Sequence, residues 1–87
     1  MAFVYILKSQ KNGRYYIGST LDVSERLKKH NSGQVYSTSR LLPLELMLKQ
    51  EYASVALARK AELKLKKLKR RDYVERIIRD GFIKILS

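Results

Sequence analysis

The chain has 87 residues, 45% of them apolar, with 19 Lys and Arg against 8 Asp and Glu, a formal net charge of +11. That length admits one domain spanning 1–87 with a single small core, no apolar run reaches the roughly 18 residues of a membrane helix, and the start MAFVYILK carries no charged leader. Zero cysteines exclude disulfides and thiol chemistry, so the expected setting is the cytoplasm, free or nucleoid-associated, and a charge this positive makes a polyanion, nucleic acid by default, the expected partner.

Taken in chain order, the run Phe3 to Leu7 reads as a strand, and Asn12-Gly13 is a hairpin signal because both central positions of a type I′ turn favour positive φ. A two-residue turn there places Lys11 opposite Arg14, Ser9 opposite Tyr16, Leu7 opposite Gly18 and Tyr5 opposite Thr20. Tyr5 and Tyr16 then share one face and Tyr15 points to the other. Gly18 leaves a gap beside Tyr16 that a ligand could approach closely.

Asp22 and Glu25 form a capping box for a helix of about two and a half turns. Along it Val23 and Leu27 make a core-facing edge, and Arg26 and His30, also one turn apart, make a second line. A polar loop closes at Pro43, and LELMLKQEY alternates as a third strand with Leu44, Leu46 and Leu48 on one face. Ser54 then caps a long Ala-, Leu- and Lys-rich helix whose apolar stripe is Leu57, Ala61, Leu65 and Leu68. Asp72 and Glu75 read as a capping box for a last helix that Gly81 ends, and the tail FIKILS can dock on the sheet or the helices.

Most charged residues have ordinary roles in this reading. Asp22, Glu25, Asp72 and Glu75 belong to caps, and Glu45 and Glu51 to the third strand's region. Glu62 is the carboxylate left over, at the edge of the stripe that faces the sheet, although Lys66 one turn on would serve it as a plain helix ion pair. Residues 59–71 hold Arg59, Lys60, Lys64, Lys66, Lys67, Lys69, Arg70 and Arg71 with Glu62 the only acid, a surface suited to a phosphate backbone.

The order β-β-α-β-α-α with a tyrosine-rich hairpin at the front resembles the GIY-YIG nucleases, most closely their small stand-alone bacterial members. Tyr16-Ile17-Gly18 is a literal Y-I-G, Val4-Tyr5 sits where the family has I-Y, Arg26 looks like the arginine of its first helix, and His30-Asn31 resembles the HN that follows. With Pro43 and Glu62 the resemblance covers residues 2 to about 80. It implies an α+β fold, a small three-stranded antiparallel sheet flanked by helices. It also implies a metal-dependent endonuclease in which Glu62 holds one Mg²⁺ or Mn²⁺, Arg26 neutralises the scissile phosphate and Tyr16 or Tyr5 acts as general base; an alternative is that His30, whose ordinary pKa is about 6.5, takes the proton from a tyrosine. A tyrosine base needs its pKa lowered by nearby cations, a role open to Arg26, His30 and the metal.

The expected substrate is DNA in preference to RNA. Contacts are expected from Gly18, Arg59, Lys60, Lys66, Lys67 and Arg70, and from Tyr36, Thr38 and Arg40 in the long loop. Little sequence specificity is expected, because no reading module is appended. Three positions depart from the family pattern: Phe3 stands where the first motif has Gly, Ser19 where some members carry lysine, and no asparagine follows Glu62. The alternative reading is therefore a basic domain of the same shape that binds nucleic acid with weak or no cutting.

Overall fold

A strand buried on both faces has no polar positions to alternate, which is the character of the run Val4 to Leu7, each residue at most 2% exposed. In a computed structural model, which describes residues 1–35, 38–68 and 70–83, that run is the middle of a three-stranded antiparallel sheet. The elements are β1 (Ala2–Ser9), β2 (Tyr15–Thr20), α1 (Val23–Asn31), β3 (Leu44–Tyr52), α2 (Val55–Leu68) and α3 (Arg71–Asp80), with strand order β2-β1-β3. The α+β class, the element order and the central position of β1 follow from the apolar patterning.

The two faces of β1 serve different cores. Ala2, Val4 and Ile6 pack with Ala58, Ala61, Leu65, Val74 and Ile77 under α2 and α3. Tyr5 and Leu7 pack with Val23 and Leu44 under α1. On α2 the buried line is Ala58, Ala61 and Leu65, whereas Leu57 and Leu68 of the expected stripe are 45% and 40% exposed. Small alanines let the helix sit close to the strands, so the contact line follows them rather than the larger leucines.

The hairpin register differs from the two-residue turn. Tyr5 pairs with Gly18, Leu7 with Tyr16 and Phe3 with Thr20. The cause is Ser9, 1% exposed, whose hydroxyl accepts from the amides of Lys11 (3.1 Å) and Asn12 (3.3 Å) and donates to the Leu41 carbonyl (2.6 Å). Those bonds open the connection into a longer loop closed by Ser9 N–H to the Arg14 carbonyl, with Gly13 at φ 76°. A slip of two positions keeps every side chain on its face, so Tyr5 and Tyr16 still share one.

In β3 the strict alternation breaks. Ile6 pairs with Leu48 and Leu7 with Leu46, leaving Met47 as a bulge, so Leu44 and Leu46 join the α1 core while Met47 and Leu48 join the other. The start of β3 is tied to α1 by Asn31, whose side-chain amide donates to the Leu44 carbonyl at 3.1 Å and accepts from its N–H at 2.8 Å.

Asp22 caps α1 through the Glu25 N–H at 3.1 Å, but the Asp22 N–H turns to the Thr20 hydroxyl, so only half of the box forms. Ser54 caps α2 by accepting from the Leu57 N–H at 3.2 Å. The cap expected for α3 is absent: the helix begins at Arg71, Asp72 pairs with Arg70 at 2.9 Å, and Glu75 faces Arg71 at 3.4 Å. Each carboxylate pairs with a cationic neighbour, and neither belongs to the helix N-cap residue, which is Arg70. Gly81 ends α3 at φ 85°, and Ile83 of the tail docks where Gln50 of β3 accepts from its N–H at 2.7 Å. Residues 84–87 of the tail lie outside the described residues.

The close pairing of Tyr5 with Gly18 leaves no room for a side chain. A Cβ on Gly18 would lie 2.5 Å from the Tyr5 hydroxyl and 2.6 Å from the ring carbon that bears it. The space expected to stay open for a ligand is filled by Tyr5. Gly18→Ala is therefore expected to lower unfolding free energy by about 1–3 kcal/mol, the usual cost of overpacking, read as a reduced urea midpoint at unchanged m-value.

Candidate active site

Tyr5, Tyr16 and His30 form one cluster on the α1 face. The ring centroids of Tyr16 and His30 are 5.0 Å apart, those of Tyr5 and His30 5.9 Å, and those of the two tyrosines 6.4 Å, with both histidine contacts edge-on. His30 is fully buried. Its Nε2 meets the Tyr5 hydroxyl at 3.1 Å and its Nδ1 the Thr38 hydroxyl at 2.7 Å.

The direction of this chain follows from its far end. The Val35 carbonyl can only accept, so a Thr38 hydroxyl turned toward it at 3.4 Å takes its own bond from Nδ1–H. Nε2 is then the lone pair that accepts from Tyr5 O–H. Thr38, expected as a nucleic-acid contact, is buried and supports His30. Arg40 is exposed, and Tyr36 lies outside the described residues.

Burial, then the neighbouring Tyr16, pushes the Tyr5 pKa up to about 12, with Glu62 adding to the rise and Arg26 opposing it. Burial also lowers the His30 pKa, helped by the Arg26 charge. At neutral pH Tyr5 keeps its proton and His30 is uncharged. The expected lowering of a tyrosine pKa by cations fails at Tyr5, and His30 is no source of positive charge, because desolvation outweighs the cations nearby.

Tyr16 is half-buried and belongs to the sheet's open edge, since β2 has no partner beyond β1 among the described residues. The Lys66 ammonium lies 5.8 Å from its ring centroid and 2.7 Å from the Glu62 Oε2. Glu62 Oε1 accepts from the Ser19 hydroxyl at 2.5 Å, and the Glu62 side chain is 13% exposed. Burial raises the Glu62 pKa, but the hydrogen bonds of Lys66 and Ser19 and the charges of Lys66 and Arg59 overcome it and hold the carboxyl below its usual value. Ser19 and Tyr16 point to opposite faces of β2, so the carboxylate and the tyrosine meet around the strand's free edge.

A cavity of about 450 Å³ lies at one end of that edge, lined by Ser19, Arg26, Lys29 and Arg59 together with Asp22 and Glu25. Another of about 520 Å³ lies at the other end, lined by Arg14, Tyr16, Lys66, Arg70 and Arg71 over an apolar floor. Among the described residues no carboxylate pairs with Arg26. Arg59, Lys66 and Arg70 thus border the two cavities, whereas Lys60 and Lys67 are exposed and line neither, and Lys69 lies outside the described residues. Sequence reasoning missed Arg14 as a wall of the second cavity and Ser19 as the hydrogen-bond partner of Glu62. Strand alternation carried a signal for Ser19, which must face away from Tyr16 and toward the long helix.

The sequence pattern of the GIY-YIG catalytic domain matches residues 1–75. The chain belongs to the GIY-YIG family. It is 44% identical over 71 residues to a UPF0213 protein of Streptococcus pneumoniae serotype 4, covering 79% of this chain and 70% of that one. It is 34% identical over 84 residues to a UPF0213 protein of Bacillus licheniformis, covering 91% and 84%. A UPF0213 protein of Bacillus halodurans, solved by NMR in solution, is 34% identical with a TM-score of 0.57, covering 93% of this chain and 87% of that one. No helix among the described residues is long and apolar enough to cross a membrane.

Glu62 is the carboxylate that Ser19 and Lys66 hold anionic behind the free edge of β2. Among the described residues no three His, Cys, Asp or Glu side chains cluster as a metal cage. A carboxylate held anionic, with a hydroxyl beside it, fits a hard cation that keeps most of its waters and shares phosphate oxygens. Mg²⁺ and Mn²⁺ bind in this way, whereas Zn²⁺ usually wants a fuller set of protein ligands.

The buried pair Tyr5–His30 also makes stability depend on pH. A His30 pKa below 6.5 in the fold contributes stability above pH 6.5 that is lost as pH falls through the folded value. The Tyr5 shift contributes stability below pH 10 that is lost as pH rises toward about 12. Urea midpoints are expected to fall between pH 7 and pH 5, and His30→Gln is expected to flatten that slope.

Proposed function

We propose that this chain is a divalent-metal-dependent nuclease that hydrolyses phosphodiester bonds in DNA with little sequence specificity. The observation that carries the reading is the position of the Tyr16 ring, between His30 of α1 at 5.0 Å and the Lys66 ammonium that bridges to Glu62 of α2. A nucleic-acid strand running along the free edge of β2 would pass Tyr16 at one end and Arg26, which has no carboxylate partner among the described residues, at the other, with the anionic Glu62 reaching the same edge through Ser19.

The residues divide the work by environment. Tyr16, half-buried at the edge, is the group with room for an attacking water and takes the part of general base. Tyr5 keeps its proton, hydrogen-bonds His30 and orients the ring that packs on Tyr16, a positioning role. Arg26 presents a planar donor fork to the phosphate and neutralises charge developing on its oxygens. Glu62 would hold Mg²⁺ or Mn²⁺, and the bound ion would add positive charge beside the leaving oxygen. Ser19 fixes the orientation of the carboxylate. The net charge of +11, with Arg59 and Arg70 bordering the site, supplies attraction to the strand without reading its bases.

One observation favours the second reading, a domain that binds nucleic acid without cutting it. Both oxygens of Glu62 already have partners, Ser19 and Lys66. The assay that separates the readings uses labelled single-stranded, nicked and branched DNA with Mg²⁺ or Mn²⁺. Cleavage by the wild type is expected, abolished by chelator and lowered about 10²- to 10⁴-fold in Tyr16→Phe and about 10²- to 10³-fold in Arg26→Ala. Glu62→Gln is expected to be inactive, and Tyr5→Phe to lose less than Tyr16→Phe. Salt-sensitive binding with no cleavage by the folded wild type would select the binder.

A further inference from the structure

We propose that Lys66 is an exchangeable partner of Glu62: it holds the carboxylate in the free protein and leaves it for a nucleic-acid phosphate that enters the cavity beside Arg14 and Arg70. Divalent cation and nucleic acid then bind the site together rather than independently. This exchange deepens the nuclease reading and rests on Glu62 being the metal ligand.

Three observations support it. The Lys66 ammonium is 2.7 Å from Glu62 Oε2, so a divalent cation approaching that oxygen meets a like charge already in contact with it. Glu62 can carry one or the other. The two side chains also differ in freedom, since Lys66 is 46% exposed and Glu62 13%. A half-exposed lysine on a flexible four-carbon stem with rotatable donors changes partner more easily than the largely buried carboxylate it pairs with. Finally, Lys66 lines the cavity that Arg14, Tyr16 and Arg70 also border, so a phosphate there has Lys66 within its walls.

The consequence is a thermodynamic linkage. A phosphate that attracts Lys66 vacates one oxygen of Glu62 and so strengthens cation binding, and by reciprocity a cation at Glu62 strengthens nucleic-acid binding by the same factor. Ser19 remains on the other oxygen through the exchange and keeps the carboxylate aimed along the β2 edge. Free protein is thereby kept from binding the cation strongly before substrate is present.

The test measures Mn²⁺ affinity of the metal-free full chain from the electron paramagnetic resonance signal of unbound Mn²⁺. Wild type is compared with Lys66→Met, which keeps the aliphatic stem, Lys66→Arg, which keeps the charge, and Glu62→Gln. Without nucleic acid, Lys66→Met is expected to bind Mn²⁺ more tightly than wild type by a factor of about 5 to 150, the usual range of coupling between sites. Lys66→Arg is expected to stay near wild type, and Glu62→Gln to show no site. Adding a hydrolysis-resistant single-stranded oligonucleotide, with its own Mn²⁺ binding subtracted, is expected to tighten wild type and to leave Lys66→Met nearly unchanged. Equal affinities for wild type and Lys66→Met, with loss in Glu62→Gln, would overturn the exchange and leave Glu62 as the metal ligand. No Glu62-dependent binding in any protein, with or without oligonucleotide, would overturn both.

Discussion

The closeness of Tyr5 to the backbone of Gly18 governs this molecule. Because one strand of the hairpin carries no side chain at that point, Tyr5 of the other occupies the space, and the hydroxyl at its tip reaches His30 of α1. There it meets His30, which is braced in turn by Thr38 from the loop that follows the helix. Tyr16, two residues before Gly18, packs its ring on the same histidine. Hairpin, first helix and loop are thus joined through one buried polar chain whose members each have a partner, the condition under which a polar group in a small core does not destabilise it.

The second constraint is the position of β2 at the edge of the sheet. A central strand separates its two faces completely. At an edge, side chains from opposite faces can reach around the backbone toward one another. That is how Ser19, on the α2 side, reaches Glu62 while Tyr16, on the α1 side, lies near Lys66, the ion-pair partner of the same carboxylate. Exposed edge strands tend to recruit another chain, and natural proteins blunt them with charge. Here Arg14, Arg26, Arg59 and Lys66 border the two cavities along the edge, so the same cations that discourage strand addition also suit a polyanion.

Charge is distributed unevenly over the basic helix. Arg59 and Lys66 each border one of the two cavities while Lys60 and Lys67 line neither, so the excess of cations in this segment has two separate uses, one local to the site and one in the field of the whole protein. Glu62 illustrates the balance: an isolated carboxyl at that depth would be driven toward its neutral form, and the lysine and serine beside it keep it ionised. The site is consequently built from charges that offset one another only in part, since among the described residues Arg14, Arg26 and Arg59 have no carboxylate partner.

What the sequence determined by itself is whatever local periodicity and local hydrogen bonding control. The doubly buried run Val4 to Leu7, the caps at Asp22 and Ser54, the stop at Gly81 and the shared face of Tyr5 and Tyr16 depend on neighbours a few residues away, and the fold class follows from them. Membership of the GIY-YIG family was legible because the spacing of that pattern survives in the chain. Tertiary structure decided the rest, because long-range partners leave no trace in local spacing. Ser9 reached the distant Leu41 carbonyl and reset the hairpin register, Met47 bulged to fit the curvature between two cores, and Asp72 and Glu75 paired with Arg70 and Arg71 instead of forming the expected cap. Gly18 lost its gap to Tyr5, and Thr38 was buried under His30, since both outcomes depend on burial and on which side chain arrives to fill a space. The same burial decided the proton inventory, keeping Tyr5 protonated and His30 neutral where composition alone suggested a field of positive charge.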